Sequence, residues 1–208
     1  MELLGWQKII VGAFIGYLLG SVPFAVVFSR LFKNVDIRRV GTRNPGAANV
    51  FRQVGVAPGL LTWLFDTGKG VVAMVISEKW LGLSGYWVAL VGSAAVVGHC
   101  WSIFLLFKGG KGLATSGAVL LYLTPRLFLI AIALHFYIQK VAPRSLVVLI
   151  TAIVFFIGLV YIVYPQNWIT LLAGIVTLIG VGALANTEAM REMRELRRKA
   201  RESEEASH

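Results

Sequence analysis

The chain has 208 residues, of which 57% are hydrophobic and only 14% charged, a balance no water-facing surface tolerates and one that excludes an ordinary soluble domain. Its net charge of +10 is spread between apolar runs and a terminal tail, which argues against a nucleic-acid-binding module and for a lipid surface or an anionic ligand. One cysteine, Cys100, beside a single histidine, His99, excludes a disulfide framework and a zinc site, so neither metal nor cofactor is expected.

A helix needs roughly 20 apolar residues to cross the hydrocarbon core. With Glu2 and Lys8 ahead of it and no small-residue cleavage site behind, Ile9–Phe28 reads as a retained first span. Its Gly12, Gly16 and Gly20 form a small-residue face for a close-packed helix, of the same bundle or of a second copy. A basic loop follows, with Arg30, Lys33, Arg38, Arg39, Arg43 and Arg52. Leu60–Ile76 and Trp87–Phe107 are the next spans, then come two short helices, Leu113–Leu123 and Leu127–Ile138, turning at Thr124-Pro125-Arg126. Leu146–Val163 and Trp168–Ala185 complete an all-α, polytopic membrane fold of about seven helices, two of them short. Basic residues in the first loop and in Arg191–Arg201 place both segments in the cytoplasm and the N-terminus outside. One membrane domain, 1–187, is expected, with a charged tail, 188–208, whose Glu188–Arg201 should lie as a helix on the cytoplasmic surface.

Four stretches carry chemistry. In GTRNPGAANVFR, Gly41 and Gly46 free the backbone, Asn44 and Asn49 offer neutral donors and acceptors, and Arg43 and Arg52 can fork onto phosphate; the same residues also suit a plain Asn-Pro-Gly turn with positive-inside arginines. In GGKG, the amides of Gly109 and Gly110 and the charge of Lys111 suit an anion at the start of the next helix. Gly112 after Lys111, in place of Ser or Thr, excludes a nucleotide-hydrolysing P-loop. Asp66 and Lys69 lie three apart inside an apolar span, one face of a helix, as a functional pair or as a buried pair that fixes packing. His99 stands where a general base could, but Phe104 occupies the place five residues on where acyl-CoA-dependent acyltransferases carry an Asp, so a hydrogen-bonding role fits His99 better.

Gly20-Ser21, GTRNPGAANVFR, DTGKG and GHCWSIFLLFKGGKGLAT, in this order on a polytopic chain, resemble the bacterial acyl-phosphate-dependent glycerol-3-phosphate acyltransferases, the PlsY family. The resemblance implies seven helices in the bacterial inner membrane, an active site facing the cytoplasm, and acyl transfer from acyl phosphate to the 1-hydroxyl of glycerol 3-phosphate, giving lysophosphatidic acid. It implies a catalytic set of Lys111, Asn44, Arg52 and His99. Substrate contacts would come from Ser21, Gly41, Thr42, Arg43, Gly46, Asn49, Asp66, Lys69, Gly109 and Gly110. The C-terminal third would add Arg144 and Ser145 from KVAPRSLV and Asn186 from ALANTEAMREM, where no histidine stands. The partners are then acyl phosphate, glycerol 3-phosphate and the bilayer, with no nucleic acid and no metal. Because an acyl phosphate already has a good leaving group, the donor phosphate can take the hydroxyl proton itself. A transporter or scramblase for a phosphorylated solute is the competing class, and another phosphorylated acceptor is the competing chemistry; no inverted repeat supports the transporter.

Overall fold

A computed structural model describes residues 4–130, 133–134, 137, 146–181, 183–184 and 187, with 146–154 as backbone alone. The helices are α1 (Gly5–Ser21), α2 (Phe24–Lys33), α3 (Ala47–Gln53), α4 (Val56–Lys79), α5 (Tyr86–Cys100), α6 (Leu113–Leu123), α7 (Leu146–Val163) and α8 (Trp168–Val181), with a 3-10 turn at Ile103–Leu105. No strand occurs among the described residues. Three segments, Gly5–Lys33, Val56–Lys79 and Tyr86–Leu105, are long and apolar enough to cross a membrane. Their outward faces carry Trp6, Ile10, Phe14, Trp63, Leu64 and Val72, all exposed, as a lipid-bounded surface requires.

Two expected spans are interrupted, for different reasons. Ile9–Phe28 breaks at Val22–Pro23, because Pro23 has no N–H to donate and its carbonyl restarts the ladder by accepting from Val26 and Val27. Trp87–Phe107 stops at Cys100 although no proline stands there. The carbonyls of His99 and Cys100, which a continuing helix would use, instead accept the amides of Gly110 (3.0 Å) and Gly109 (2.9 Å). His99 therefore lies in the last turn of α5, not near the middle of a span. The chain then turns back through Leu106 and Phe107, both left-handed, with φ of 54° and 61°. A third departure is α3, a helix in the basic loop, started where the Gly46 carbonyl accepts from Asn49 and Val50.

Between helices in lipid the hydrophobic effect gives little attraction, so close packing and hydrogen bonds must hold the bundle. The glycine face of α1 does this against α5. A Cβ on Gly20 would sit inside the Ala95 carbonyl, and one on Gly98 inside that of Tyr17. Contacts climb together along both helices, Gly16 with Val91 and Gly20 with Ala95, so α1 and α5 run parallel. On α4 and α6 they also climb together: the Thr115 hydroxyl donates to the Asp66 carbonyl (2.8 Å) and Gly70 packs on Thr115 and Val119. Both parallel pairs require the chain to reverse at each connection, which brings residues 34–55 and 101–112 to the same end of the bundle. Ala73, Met74, Val91, Ala95, Val96 and Val119 fill the centre, and Leu127, Val160 and Ile175 join α7 and α8 beneath the end of α6.

Candidate functional site

At the end where those two loops meet lies a small buried pocket, lined by Gly20, Ser21, Val22, Pro23 and Phe24 of the α1–α2 break, Pro45 of the basic loop, Asp66 and Lys69 of α4, and His99, Ser102, Leu105 and Gly110. The break makes it. Off the helical ladder, the Val22 carbonyl accepts from Lys69 Nζ (3.2 Å) and the Ser21 carbonyl accepts from the Ser102 hydroxyl (2.6 Å). Ser21, a predicted contact, donates its own hydroxyl to the Tyr17 carbonyl (2.8 Å). Ser102 gave no signal as a lone Ser in an apolar run, and Pro23 gave one that a hydropathy reading passes over.

Asp66 and Lys69 are paired at 2.9 Å with side chains 3% and 4% exposed, too dry for either charge to survive alone. His99 Nδ1 stands 3.6 Å from Asp66 Oδ1. The local histidine motif has Phe104 in place of its carboxylate, as the sequence shows, and a carboxylate reaches the vicinity of His99 from another helix instead. Asp66 itself is positioned through its own backbone by Thr115, a residue the sequence gave no reason to single out.

In the basic loop Asn49 is fully buried and its amide is fully engaged: Nδ2 donates to the carbonyls of Ile37 and Val40 (3.1 Å each), and Oδ1 accepts the Thr42 amide (3.1 Å). It organises the Gly41–Arg43 turn, in which Gly41 and Arg43 are left-handed at φ 58° and 60°. Asp36, gripped by Arg38 at 2.7 Å and lying near Arg30, anchors the start of the same loop. The Arg38 hydrogen bond holds its carboxyl at about 2, well below the usual carboxylate range. The Asn44-Pro45-Gly46 turn then reaches the glycine loop, where the Pro45 carbonyl would lie 3.0 Å from a Cβ on Gly110. Thr42, Arg43 and Arg52 stay at the exposed rim, as does Lys111. Among the described residues Arg43 and Arg52 of the basic loop and Lys108 and Lys111 of the glycine loop have no ion-pair partner, whereas the Asp66 and Lys69 charges inside the pocket are matched to each other. Arg144, Ser145, Asn186 and the tail lie outside the described residues.

Against the pocket runs an apolar groove of about 370 Å³, lined by Leu19, Val22, Phe24, Leu64, Phe65, Gly68, Lys69 and Val72. Val22, Phe24 and Lys69 belong to both. The stem of Lys69 therefore lies in the groove while its ammonium serves the polar side. Phe24, Phe28 and Phe65 stack at one edge of the groove, with Phe24 and Phe65 centroids 4.8 Å apart. Chemically the arrangement offers exposed cations and an apolar slot, with no cluster of metal ligands among the described residues; the amides of Gly109 and Gly110, expected to meet an anion, are instead donated to the Cys100 and His99 carbonyls.

The family model described as glycerol-3-phosphate acyltransferase matches residues 10–194. Glycerol-3-phosphate acyltransferase 1 of Deinococcus radiodurans is 45% identical over 136 residues, 64% of this chain and 68% of that protein. The glycerol-3-phosphate acyltransferase of Pseudomonas aeruginosa is 43% identical over 133 residues, 64% and 70% of the two chains. The crystal structure of PlsY, an integral membrane glycerol 3-phosphate acyltransferase, in its glycerol 3-phosphate form superposes with a TM-score of 0.66 at 30% identity, over 90% of this chain and 91% of that one. Its lysophosphatidic acid form gives the same score at 29% identity.

Proposed function

The chain belongs to the glycerol-3-phosphate acyltransferase family, and from that premise we propose how its pocket acylates glycerol 3-phosphate. It is an integral membrane acyltransferase that makes lysophosphatidic acid. The donor in this reading is an acyl phosphate, the membrane is the bacterial inner membrane, and the pocket opens to the cytoplasm. The observation that carries it is the joining of two environments at Lys69: an apolar slot on one side and, on the other, a polar pocket lined by Asp66, His99, Ser102 and the Gly110 turn of the basic glycine loop. A molecule with a phosphate joined directly to an acyl chain needs both.

The acyl chain lies along Leu19, Phe65, Gly68 and Val72 in the groove, while the phosphate meets Lys111 on the loop that Gly109 and Gly110 fold by donating their amides to the Cys100 and His99 carbonyls. Glycerol 3-phosphate enters from the rim, its phosphate on Arg43 and Arg52, with Asn44 and Thr42 alongside and Arg144, Ser145 and Asn186 completing the acceptor side. Gly41, Gly46 and Asn49 shape this loop. The acceptor hydroxyl attacks the acyl carbonyl carbon, the carbonyl–phosphate C–O bond breaks, and the hydroxyl proton leaves on the departing phosphate. Anhydride chemistry needs placement and charge stabilisation more than a strong base. Asp66 and Lys69 hold the α1–α2 break open through the Val22 carbonyl. The test is purified protein in detergent, given acyl phosphate and glycerol 3-phosphate: lysophosphatidic acid and inorganic phosphate should form in equal amounts without vesicles. Product from acyl-CoA alone, at a comparable rate, would refute the donor assignment.

A further inference from the structure

His99 has more electrostatic connection than a packing residue needs. Its side chain is 7% exposed, and its Nδ1 faces the Asp66 carboxylate at 3.6 Å without a hydrogen-bond partner. Its Nε2 lies under the glycine loop, where a Cβ on Gly110 would strike it. The ionisable groups that face it from α4 are Asp66 and Lys69, already joined to each other. The other pocket walls, Gly20, Ser21, Phe24 and Pro45, are uncharged. Cys100, the next residue, lies against Gly112, and Lys108 and Lys111 are exposed.

A neutral imidazole carries one proton on one of its two nitrogens. A bare Nδ1 would aim its lone pair at a carboxylate, so the proton belongs on Nδ1, and a neutral ring then turns the Nε2 lone pair toward the glycine loop. An anion seated on that loop would be repelled by it. A second proton reverses the sign, and Asp66 stabilises the imidazolium from behind. We propose that His99 takes up a proton from solvent when a phosphate group occupies residues 109–112, becoming an imidazolium clamped between Asp66 and that phosphate. The inference rests on the phosphate reading of the loop given above. It makes His99 a proton-linked anion contact, not the base that deprotonates the acceptor.

The full chain, labelled with ¹⁵N at its histidines in detergent micelles, tests this; the chain has three histidines, so the His99 resonance is identified by its loss in His99→Gln. Inorganic phosphate should raise the midpoint of the His99 titration by about one pH unit or more, and by reciprocity phosphate should bind the protonated form about tenfold tighter. Glycerol 3-phosphate and a non-transferable acyl phosphonate, run as separate arms, tell which substrate's phosphate sits there: the one that shifts the resonance more. Asp66→Asn should lose most of the shift. Should that variant not fold, His99→Gln carries the test, because its phosphate affinity should fall with pH no more steeply than the ionisation of phosphate itself demands. A His99 resonance indifferent to all three ligands overturns the proposal, as does an equal pH slope in wild type and His99→Gln. Absence of acyl transfer with the linkage intact would instead remove the donor reading and leave this one standing.

Discussion

Gly109→Ala is the substitution whose cost can be worked most directly from the geometry. Gly109 donates its amide to the Cys100 carbonyl (2.9 Å) and Gly110 donates to that of His99 (3.0 Å), and these two bonds fold the glycine loop back on the end of α5. A Cβ on Gly109 would lie inside the His99 carbonyl and 2.7 Å from the Cys100 carbonyl oxygen. Both obstacles are backbone, so neither can swing aside, and relief requires the loop to lift and stretch both bonds. The φ of Gly109 is not in the left-handed region, so the effect is steric and not conformational. Two hydrogen bonds at about 0.5–1.5 kcal/mol each give about 1–3 kcal/mol. Where that cost falls on the position of the loop amides, kcat/KM for acyl phosphate should fall roughly 5- to 150-fold. The control is Gly117→Ala on α6, where nothing lies within 4 Å of the added carbon and helix propensity favours Ala. Steady-state kinetics and thermal unfolding in detergent, run on both variants, decide the matter. Gly109→Ala turning over within twofold of wild type at unchanged Tm would mean the seating of the glycine loop on α5 does not position a substrate contact.

Lys111→Ala removes an exposed, unpaired cation at the loop and should cost activity at least roughly tenfold, from a charge-assisted contact of about 1.5–3 kcal/mol, whereas Lys108→Ala should do far less; equal losses with poor membrane insertion would make both lysines topology signals. Gly68 points into the apolar groove with nothing within 4 Å of an added Cβ, so Gly68→Ala should fold and work, while Gly68→Phe should reduce turnover of long-chain acyl phosphates well below that of short-chain ones. A loss independent of chain length would place the acyl chain elsewhere. Because the Asp36 carboxyl is held down by Arg38, its contribution to the basic loop is fully present above about 3.8 and disappears as pH falls through about 2. Hydrogen exchange in residues 36–49 should show that acid-side loosening in wild type and a flat response in Asp36→Asn.

What could be read in the sequence, and what could not, follows from the range of the interactions involved. Leu113–Leu123 and Leu146–Val163 keep the bounds that hydropathy assigns them, since an apolar run bounded by Gly112 or by Pro165 and its neighbours depends on local chemistry alone. Gly12, Gly16 and Gly20 were legible as a packing face, though not their partner, which is α5 of the same bundle. The two broken spans were legible unequally: Pro23 announces one break, but the end of α5 is set by the amides of Gly109 and Gly110, well beyond the helix in the chain, and no local pattern contains them.

The same distinction explains His99. Read along the chain, it has Phe104 where a carboxylate would orient it, and it loses its case as a general base. In space it has Asp66, carried on α4 and steadied by Thr115 of α6, so three helices contribute to what a soluble acyltransferase motif compresses into a few residues. A bilayer-spanning bundle favours this division. Each helix can carry an ionisable side chain through the hydrocarbon only if a partner meets it on insertion, so Asp66 needs Lys69 one turn away at once and can receive His99 later, when the helices pack. The i,i+3 pair is therefore visible in the sequence, and the third member is the one that only the packed fold supplies.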